Sequence, residues 1–540
     1  MTFQRPWVLH PFFLAAFPVL SLAASNMQDV SCAIVTRPLA ATLGFALVAW
    51  VALRLGFRNG RKAGILVSVL VMLVFSYGHL VRCLGGLAFH VGGLTIGPNK
   101  MLIPLYGAIF LACTLFLIRT RKPLDKLTSA FNVAAAALIA VALLRIGTAA
   151  LGLRAWDRNP ASSAIETPPL TREQRAALPD IYYVILDAYG RQDVLAAQYQ
   201  HSNQDFIGYL KEKGFFVASK SCSNYGNTIQ STSSALNFGY LPVLLDQVRA
   251  DFPHAGPIRT LLRNSRILQS LRHYGYTFIA FASGYGATEF TNADIYMSSG
   301  WALSEFEHGL LSTTCVPAIT APLTRARHVN WLSSYEQHRK AVLSILDRLG
   351  SEPPVSGPVF VFAHIMCPHP PFVFGPSGEP IEPPWPFSIE DCDGWLEQSG
   401  ATREGYRSGY RDQVVFLNRK LRDAIDSILS HPTRPRIIIL QGDHGPGSDV
   451  VRDVAKADVR ERFGIFNAYL LPGDGRRLLY DSISPVNTFR VILNHYFGTH
   501  YERLDDRSYA VADYEHRPFE FIDVTQRARQ CLPSSGSPPR

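Results

Sequence analysis

The chain has 540 residues, 47% of them apolar and 18% charged, and a net charge of +9. That length exceeds one ordinary domain. The positive charge sits in residues 1–150, which hold 13 Lys and Arg against two acidic residues, while the remainder has 39 basic and 41 acidic residues. A charge so confined is a membrane-topology signal and not a phosphate-backbone footprint, so no nucleic-acid partner is expected.

Apolar runs at Trp7–Ala24, Leu39–Gly56, Gly64–Val81, Met101–Ile118 and Phe131–Leu151 are each close to the ~20 residues that cross a bilayer as a helix. The first also fits a cleaved signal peptide, since it ends on Ala23-Ala24-Ser25; we read it as a retained helix, giving five spans. Arg58, Arg61 and Lys62 lie in one loop and Arg119, Arg121, Lys122 and Lys126 in another. The positive-inside tendency places both loops in the cytoplasm and everything after about residue 152 on the outer face. A transport role is disfavoured because the spans hold few ionisable residues; Arg54 and Arg145 are near span ends, where they can snorkel.

Residues 152–179, with four prolines, read as a linker, 180–524 as a catalytic domain and 525–540 as a disordered tail. Strands are predicted at Ile181–Leu186, Tyr276–Ala282, Val359–Ala363, Arg436–Leu440 and Ile465–Leu471. These runs are apolar without alternation, as in strands buried on both faces. Helical periodicity lies between them at Thr260–His273, Trp331–Leu349 and Tyr410–Leu429. The fold class expected is a transmembrane helical region followed by an α/β domain, its sheet mostly parallel and covered on both faces. Five cysteines (Cys222, Cys315, Cys367, Cys392, Cys531) fall in the outer part without CxxC spacing, so a structural zinc is not expected and pairing is open.

Chemistry concentrates where strands end, the place at which open α/β sheets bind ligands. Asp187 follows IYYVIL, although an Asp there can also simply cap a turn. Asp443-His444 follows IIILQ between Gly442 and Gly445, a carboxylate and an imidazole suited to Zn²⁺ or Mn²⁺. Thr228 lies where a polar run turns helical, with Asn227 or Thr228 as N-cap. A hydroxyl at a helix N-terminus is stabilised as an anion and, beside a divalent metal, becomes a nucleophile. Ser231, Thr232, Ser233 and Ser234 are rival hydroxyls, and a capping threonine without chemistry is the alternative reading of Thr228. His369, stiffened by prolines in CPHPP, could protonate a leaving group or hold a phosphate oxygen. His364 could do likewise or be structural. Asn224, four residues before Thr228, joins His364 and His369 as a substrate-binding candidate.

Together these segments resemble membrane-anchored members of the alkaline phosphatase/sulfatase superfamily, such as lipoteichoic acid synthases and lipid A phosphoethanolamine transferases. GDHG after an aliphatic strand is the most specific piece, and PHPPF resembles the segment supplying that family's substrate-binding histidine. The resemblance implies about five spans and an alkaline phosphatase-like α/β domain. It also implies one divalent metal on Asp187, Thr228, Asp443 and His444, with Thr228 as nucleophile. Cys222-Ser-Asn-Tyr-Gly lacks the Pro and Arg of a formylglycine signature, which disfavours sulfate-ester hydrolysis. The segment after Tyr276–Ala282 lacks the His and Arg with which lipoteichoic acid synthases grip glycerol phosphate, which leaves the headgroup open; Glu289, Asn292, Asp294 and Trp301 are candidate specificity residues.

The reading that follows is a multi-pass protein of a bacterial inner membrane with a periplasmic catalytic domain. It transfers a phospholipid headgroup, phosphoglycerol or phosphoethanolamine, to an envelope glycan or lipid through a phospho-threonine. Two alternatives stand beside it. One is a phosphatase or phosphodiesterase in which water resolves the intermediate. The other is a non-catalytic lipid- or glycan-binding envelope protein, which would bind its partner without metal.

Overall fold

The strands without alternation owe that pattern to apolar layers on both of their faces. The computed structural model describes residues 6–27, 32–84, 89–91, 94–157, 165–252, 254–298, 303–320, 334–351, 355–383, 387, 389, 391–430, 434–450, 457–511, 513, 514 and 516–530. The chain forms two compact units, Met1–Ala155 with Leu303–Ser333, and Trp156–Ala302 with Ser334–Arg540.

Among the described residues the main sheet of the second unit has seven strands: β1 (Asp180–Leu186), β2 (Phe216–Val217), β3 (Thr277–Phe281), β4 (Ile295–Met297), β5 (Val359–Ile365), β6 (Arg436–Gln441) and β7 (Asn467–Leu470). Their order is β2-β7-β6-β1-β5-β3-β4. Neighbours from β6 to β4 pair parallel, and β7 alone runs against both β6 and β2. The sheet is therefore mostly parallel, as expected.

Along β1, Tyr182, Val184 and Leu186 face one apolar cluster while Ile181, Tyr183 and Ile185 face another. Ile438 and Leu440 against Ile437 and Ile439 repeat the division on β6. Helices Ser334–Arg348 and Arg403–Ser430 cover the first face. Helices Gly256–Arg263, Arg266–His273 and Pro485–Phe497 cover the second. The single helix predicted over Thr260–His273 is in fact two, parted at Asn264-Ser265. The edge strands β2 and β4 were not predicted; at two and three residues they are shorter than the apolar runs read as strands.

Two expected boundaries shift. Residues 165–179 do not run free: Glu166 N–H donates to Tyr501 Oη (2.8 Å) and Tyr274 Oη donates to the Pro168 carbonyl (3.1 Å). The tail expected from residue 525 starts as a short helix, Thr525–Ala528, with Ala528 fully buried. Residues 531–540, and with them Cys531, lie outside the described residues. Among the described residues Cys222, Cys315, Cys367 and Cys392 are unpaired.

In the first unit, α2 (Cys32–Phe57), α3 (Gly60–Cys83), α4 (Pro98–Arg119) and α5 (Asp125–Asp157) follow α1 (His10–Ser25). Among the described residues four helices are long and apolar enough to cross a membrane, and α1 is apolar but only 16 residues long. α1 is nevertheless bound into the bundle. His10 Nδ1 lies 2.6 Å from Ser68 Oγ on α3, and Asn132 Oδ1 on α5 accepts from the backbone N–H groups of Leu9 and His10. Lys62 Nζ donates to the Thr120 carbonyl (2.8 Å) and Arg61 pairs with Asp125 (2.9 Å), bringing the two basic loops together.

Residues 303–320, expected within the catalytic domain, belong instead to this helical unit. Phe306 and Leu310 on the Glu305–Ser312 helix pack with Val19 and Ala23, and Glu307 pairs with Arg37. Gly78 N–H donates to the Thr313 carbonyl (2.9 Å), and a Cβ at Gly78 would stand 2.1 Å from the Ser312 carbonyl oxygen. Gly78→Ala is therefore expected to destabilise the first unit by about 2 kcal/mol or more, read as a lowered unfolding midpoint and faster proteolysis within 303–320. Wild-type behaviour would contradict this close approach.

Candidate active site

β6, β1 and β5 are adjacent and parallel, so their C-terminal ends deliver Asp443-His444, Asp187 and His364 to one place. Asp187, Asp443 and His444 each offer a ligand atom, all within 4.8 Å of one another. His444 Nε2 is 3.5 Å from both Asp187 Oδ1 and Asp443 Oδ2. The fourth predicted ligand joins them, with Thr228 Oγ1 3.2 Å from His444 Nε2.

Local backbone makes this convergence feasible. A Cβ on Gly442 would stand 2.5 Å from the Tyr189 carbonyl oxygen, and one on Gly445 2.1 Å from that of Glu461. Ala188, next to Asp187, adopts φ +61°, a left-handed conformation costly for a residue with a Cβ. Its N–H donates to Asp443 Oδ1 at 3.1 Å, and its carbonyl accepts from Tyr410 Oη at 2.8 Å. The turn after β1 is thereby tied to the turn after β6.

Asp187 Oδ1 and Asp443 Oδ2 are buried without a hydrogen-bond partner. Unpaired carboxylate oxygens in a dry site are costly unless a cation meets them. His444 Nδ1 is 3.0 Å from the Gly445 carbonyl and can only donate to it, which leaves the Nε2 lone pair facing the carboxylates. Burial and the Arg462 guanidinium lower the His444 pKa, keeping the ring neutral as a metal ligand must be. Burial works against the Asp187 carboxylate, yet His369, His364 and His444 hold its pKa well below the usual range. Two carboxylates, one neutral imidazole and one hydroxyl fit a single Zn²⁺ or Mn²⁺.

Thr228 opens the helix Thr228–Leu236, with Asn227 as its N-cap. Three of the four rival hydroxyls are committed to backbone carbonyls. Ser231, Ser233 and Ser234 donate to the carbonyls of Asp443, Ile258 and Gly239, and Thr232 Oγ1 is buried without a partner. His369 is brought to the site by its own backbone, whose N–H donates to the Asp187 carbonyl at 3.1 Å. Its ring centroid is 6.2 Å from that of His444. Burial opposes protonation of His369, but Asp187 and Asp391 outweigh it and raise its pKa.

Two substrate-binding assignments need correction. Asn224 is fully buried and spends its amide on structure: Nδ2 donates to Ser484 Oγ and the Arg507 carbonyl, and Oδ1 accepts from Val486 N–H. His364 is also fully buried, with Nε2 3.0 Å from Asp187 Oδ2 and Nδ1 2.7 Å from Thr288 Oγ1, leaving no ring nitrogen for a substrate. Of the four headgroup candidates, Asp294 Oδ2 accepts from Phe278 N–H (2.8 Å), Glu289 binds Gly284 N–H (2.7 Å) and Tyr296, and the Asn292 carbonyl accepts from Arg272. Trp301 lies outside the described residues.

Sequence reasoning missed Asp391 and Arg462. The Arg462 guanidinium donates to Asp391 and to the carbonyls of Gly226 and Gly445, and its Nη2 is 3.4 Å from His444 Nε2. Asp391 lies 3.8 Å from His369 Nε2 and accepts from Tyr406 Oη at 2.6 Å. Neither follows a strand, so no local pattern marks them. The metal assignment predicts that Mn²⁺ or Zn²⁺ raises the unfolding temperature of the wild type. Asp443→Asn is expected to weaken metal binding by more than about 100-fold by calorimetry, and an unchanged affinity would remove Asp443 from the ligand set.

No protein-family model matches the chain, and no curated protein matches it. Among solved structures it is similar to the integral membrane protein lipooligosaccharide phosphoethanolamine transferase A (EptA) from Neisseria meningitidis. That likeness has 11% identity and a TM-score of 0.38, covering 90% of this chain and 95% of that one. The C-terminal periplasmic domain of EptC from Escherichia coli, in complex with zinc, gives 12%, 0.40, and 66% and 96% coverage. The phosphonate monoester hydrolase of Agrobacterium radiobacter gives 12%, 0.38, and 62% and 80%.

Proposed function

We propose that this chain is a metal-dependent phosphotransferase, anchored in a bacterial inner membrane by five spans with its catalytic domain on the periplasmic side. It moves a phospholipid-derived headgroup, phosphoglycerol or phosphoethanolamine, to a hydroxyl of an envelope glycan or lipid. The observation that carries this reading is Thr228 Oγ1 at a helix N-terminus, 3.2 Å from His444 Nε2 and beside two buried, unpartnered carboxylate oxygens. The packing of α1 into the helical bundle supports its retention as a span.

A divalent cation held by Asp187, Thr228, Asp443 and His444 would supply charge neutralisation for the phosphate and acidify the hydroxyl. The residues then divide the work. Thr228 gives up its hydroxyl proton to solvent and Oγ1 attacks phosphorus, forming the threonine–phosphorus ester while the bond to the diacylglycerol oxygen breaks. His369, its pKa raised by neighbouring carboxylates, gives that oxygen a proton. In the second step an acceptor hydroxyl attacks phosphorus, its proton passes to His369, and Thr228 leaves as it arrived. The helix N-terminus and Arg462 stabilise the phosphoryl oxygens. Holding the site at a membrane raises the effective concentration of lipid donor.

The test is full-length protein in detergent with Mn²⁺ or Zn²⁺ and headgroup-labelled phosphatidylglycerol or phosphatidylethanolamine. Metal-dependent diacylglycerol release and label on Thr228 are expected, with Thr228→Ala reduced by about 10³-fold or more. Equal release by Thr228→Ala would overturn the nucleophile assignment. Release into water, with no transfer to any added glycan or lipid, would make the enzyme a hydrolase.

A further inference from the structure

Behind Asp187 runs a row of buried polar side chains that the reaction above does not use. His364 Nε2 faces Asp187 Oδ2 at 3.0 Å, and His364 Nδ1 faces Thr288 Oγ1 at 2.7 Å. Thr288 Oγ1 lies 3.0 Å from Ser283 Oγ, which reaches Glu289 Oε1 at 3.4 Å. The other Glu289 oxygen accepts from Tyr296 Oη. Asp187, His364, Thr288 and Ser283 are at most 1% exposed. Thr288, Ser283 and Glu289 all come from the segment after β3, which supplies none of the metal ligands.

Counting protons assigns the roles. A carboxylate only accepts, so His364 Nε2 must carry the hydrogen it shares with Asp187. In the neutral ring Nδ1 is then a buried lone pair that needs a donor, and the Thr288 hydroxyl is in place to be that donor. Thr288 Oγ1 can in turn accept from Ser283, whose own oxygen accepts from Tyr285 N–H at 3.1 Å. Without the Thr288 hydroxyl, Nδ1 is a buried lone pair with no donor; a turned ring relieves that cost, and Asp187 Oδ2 then loses its donor. The carboxylate is then free to rotate, although its Oδ1 must stay aimed at the other ligands.

We infer that Thr288 is a positioning residue for the metal centre: its hydroxyl satisfies His364 Nδ1 and so fixes the ring orientation in which Nε2 holds Asp187 in ligating orientation. This rests on Asp187, Asp443 and His444 binding a divalent cation, and the test separates the two claims. Mn²⁺ affinity of the full chain in detergent is measured by titration calorimetry, independently of any transfer activity. Thr288→Val is expected to weaken Mn²⁺ binding by about 10–100-fold, with an unfolding midpoint in EDTA near that of wild type. Thr288→Ser, which keeps the hydroxyl, restores the affinity. In a His364→Asn background, Thr288→Val produces no further loss, because its route to Asp187 is already cut. If Thr288→Val does not fold, Thr288→Cys replaces it; its weaker donor is expected to give a smaller loss of affinity, again absent in the His364→Asn background.

Unchanged affinity in Thr288→Val, with tight binding by wild type, would overturn the role of Thr288 and leave the metal centre standing. An equal further loss in the His364→Asn background would also overturn it, since Thr288 would not then act through His364. Absence of Mn²⁺ binding by wild type would overturn both claims.

Discussion

Two carboxylates are delivered to the ends of adjacent central strands, and each keeps one oxygen without a partner in a buried site. Even after relaxation, burying such a charge costs several kcal/mol. The surroundings of Asp187 and Asp443 can be understood as answers to that cost. Three imidazoles and one guanidinium gather around them, His444 presents a lone pair and not a proton, and Ala188 accepts a left-handed backbone to bring its N–H to Asp443. A parallel sheet forces the problem, because the C-terminal ends of β1 and β6 must lie side by side.

The same geometry explains which parts of the site were legible in the sequence. Asp187 and Asp443-His444 end long aliphatic runs, and a run buried on both faces can hardly be anything but a central strand. Thr228 was legible as a helix start, although sequence could not separate it from four neighbouring hydroxyls. Three of those turned out to be committed to backbone carbonyls, or in effect to holding the helix against the site. Asn224 and His364 were misjudged for one reason: a polar residue close in sequence to a nucleophile or at a strand end need not point into the cleft. Asp391 and Arg462 were invisible because their partnership spans 71 positions and leaves no local periodicity.

Arg462 also joins parts of the site that no single strand connects. It binds the carbonyl of Gly226, two residues before Thr228, the carbonyl of Gly445, one residue after His444, and Asp391, which faces His369. One buried cation thus ties the turn before Thr228, the turn after His444 and, through Asp391, His369 together. Arg is suited to this because its planar fork offers five donors and does not lose its charge.

The Glu305–Ser312 helix gives the fold a practical asymmetry. Although it is encoded between the two stretches of the second unit, its apolar residues Phe306 and Leu310 and its carboxylate Glu307 find their partners in the first 155 residues. Cutting the chain after the last hydrophobic helix, the obvious way to make a water-soluble fragment, would strip these side chains of their contacts. The fragment would carry a greasy, charged arm with nothing to rest on, a recipe for self-association at the bench. Solubility would then call for excising or rewriting 303–320 as well, a second cut that no hydropathy plot of the N-terminal half would suggest.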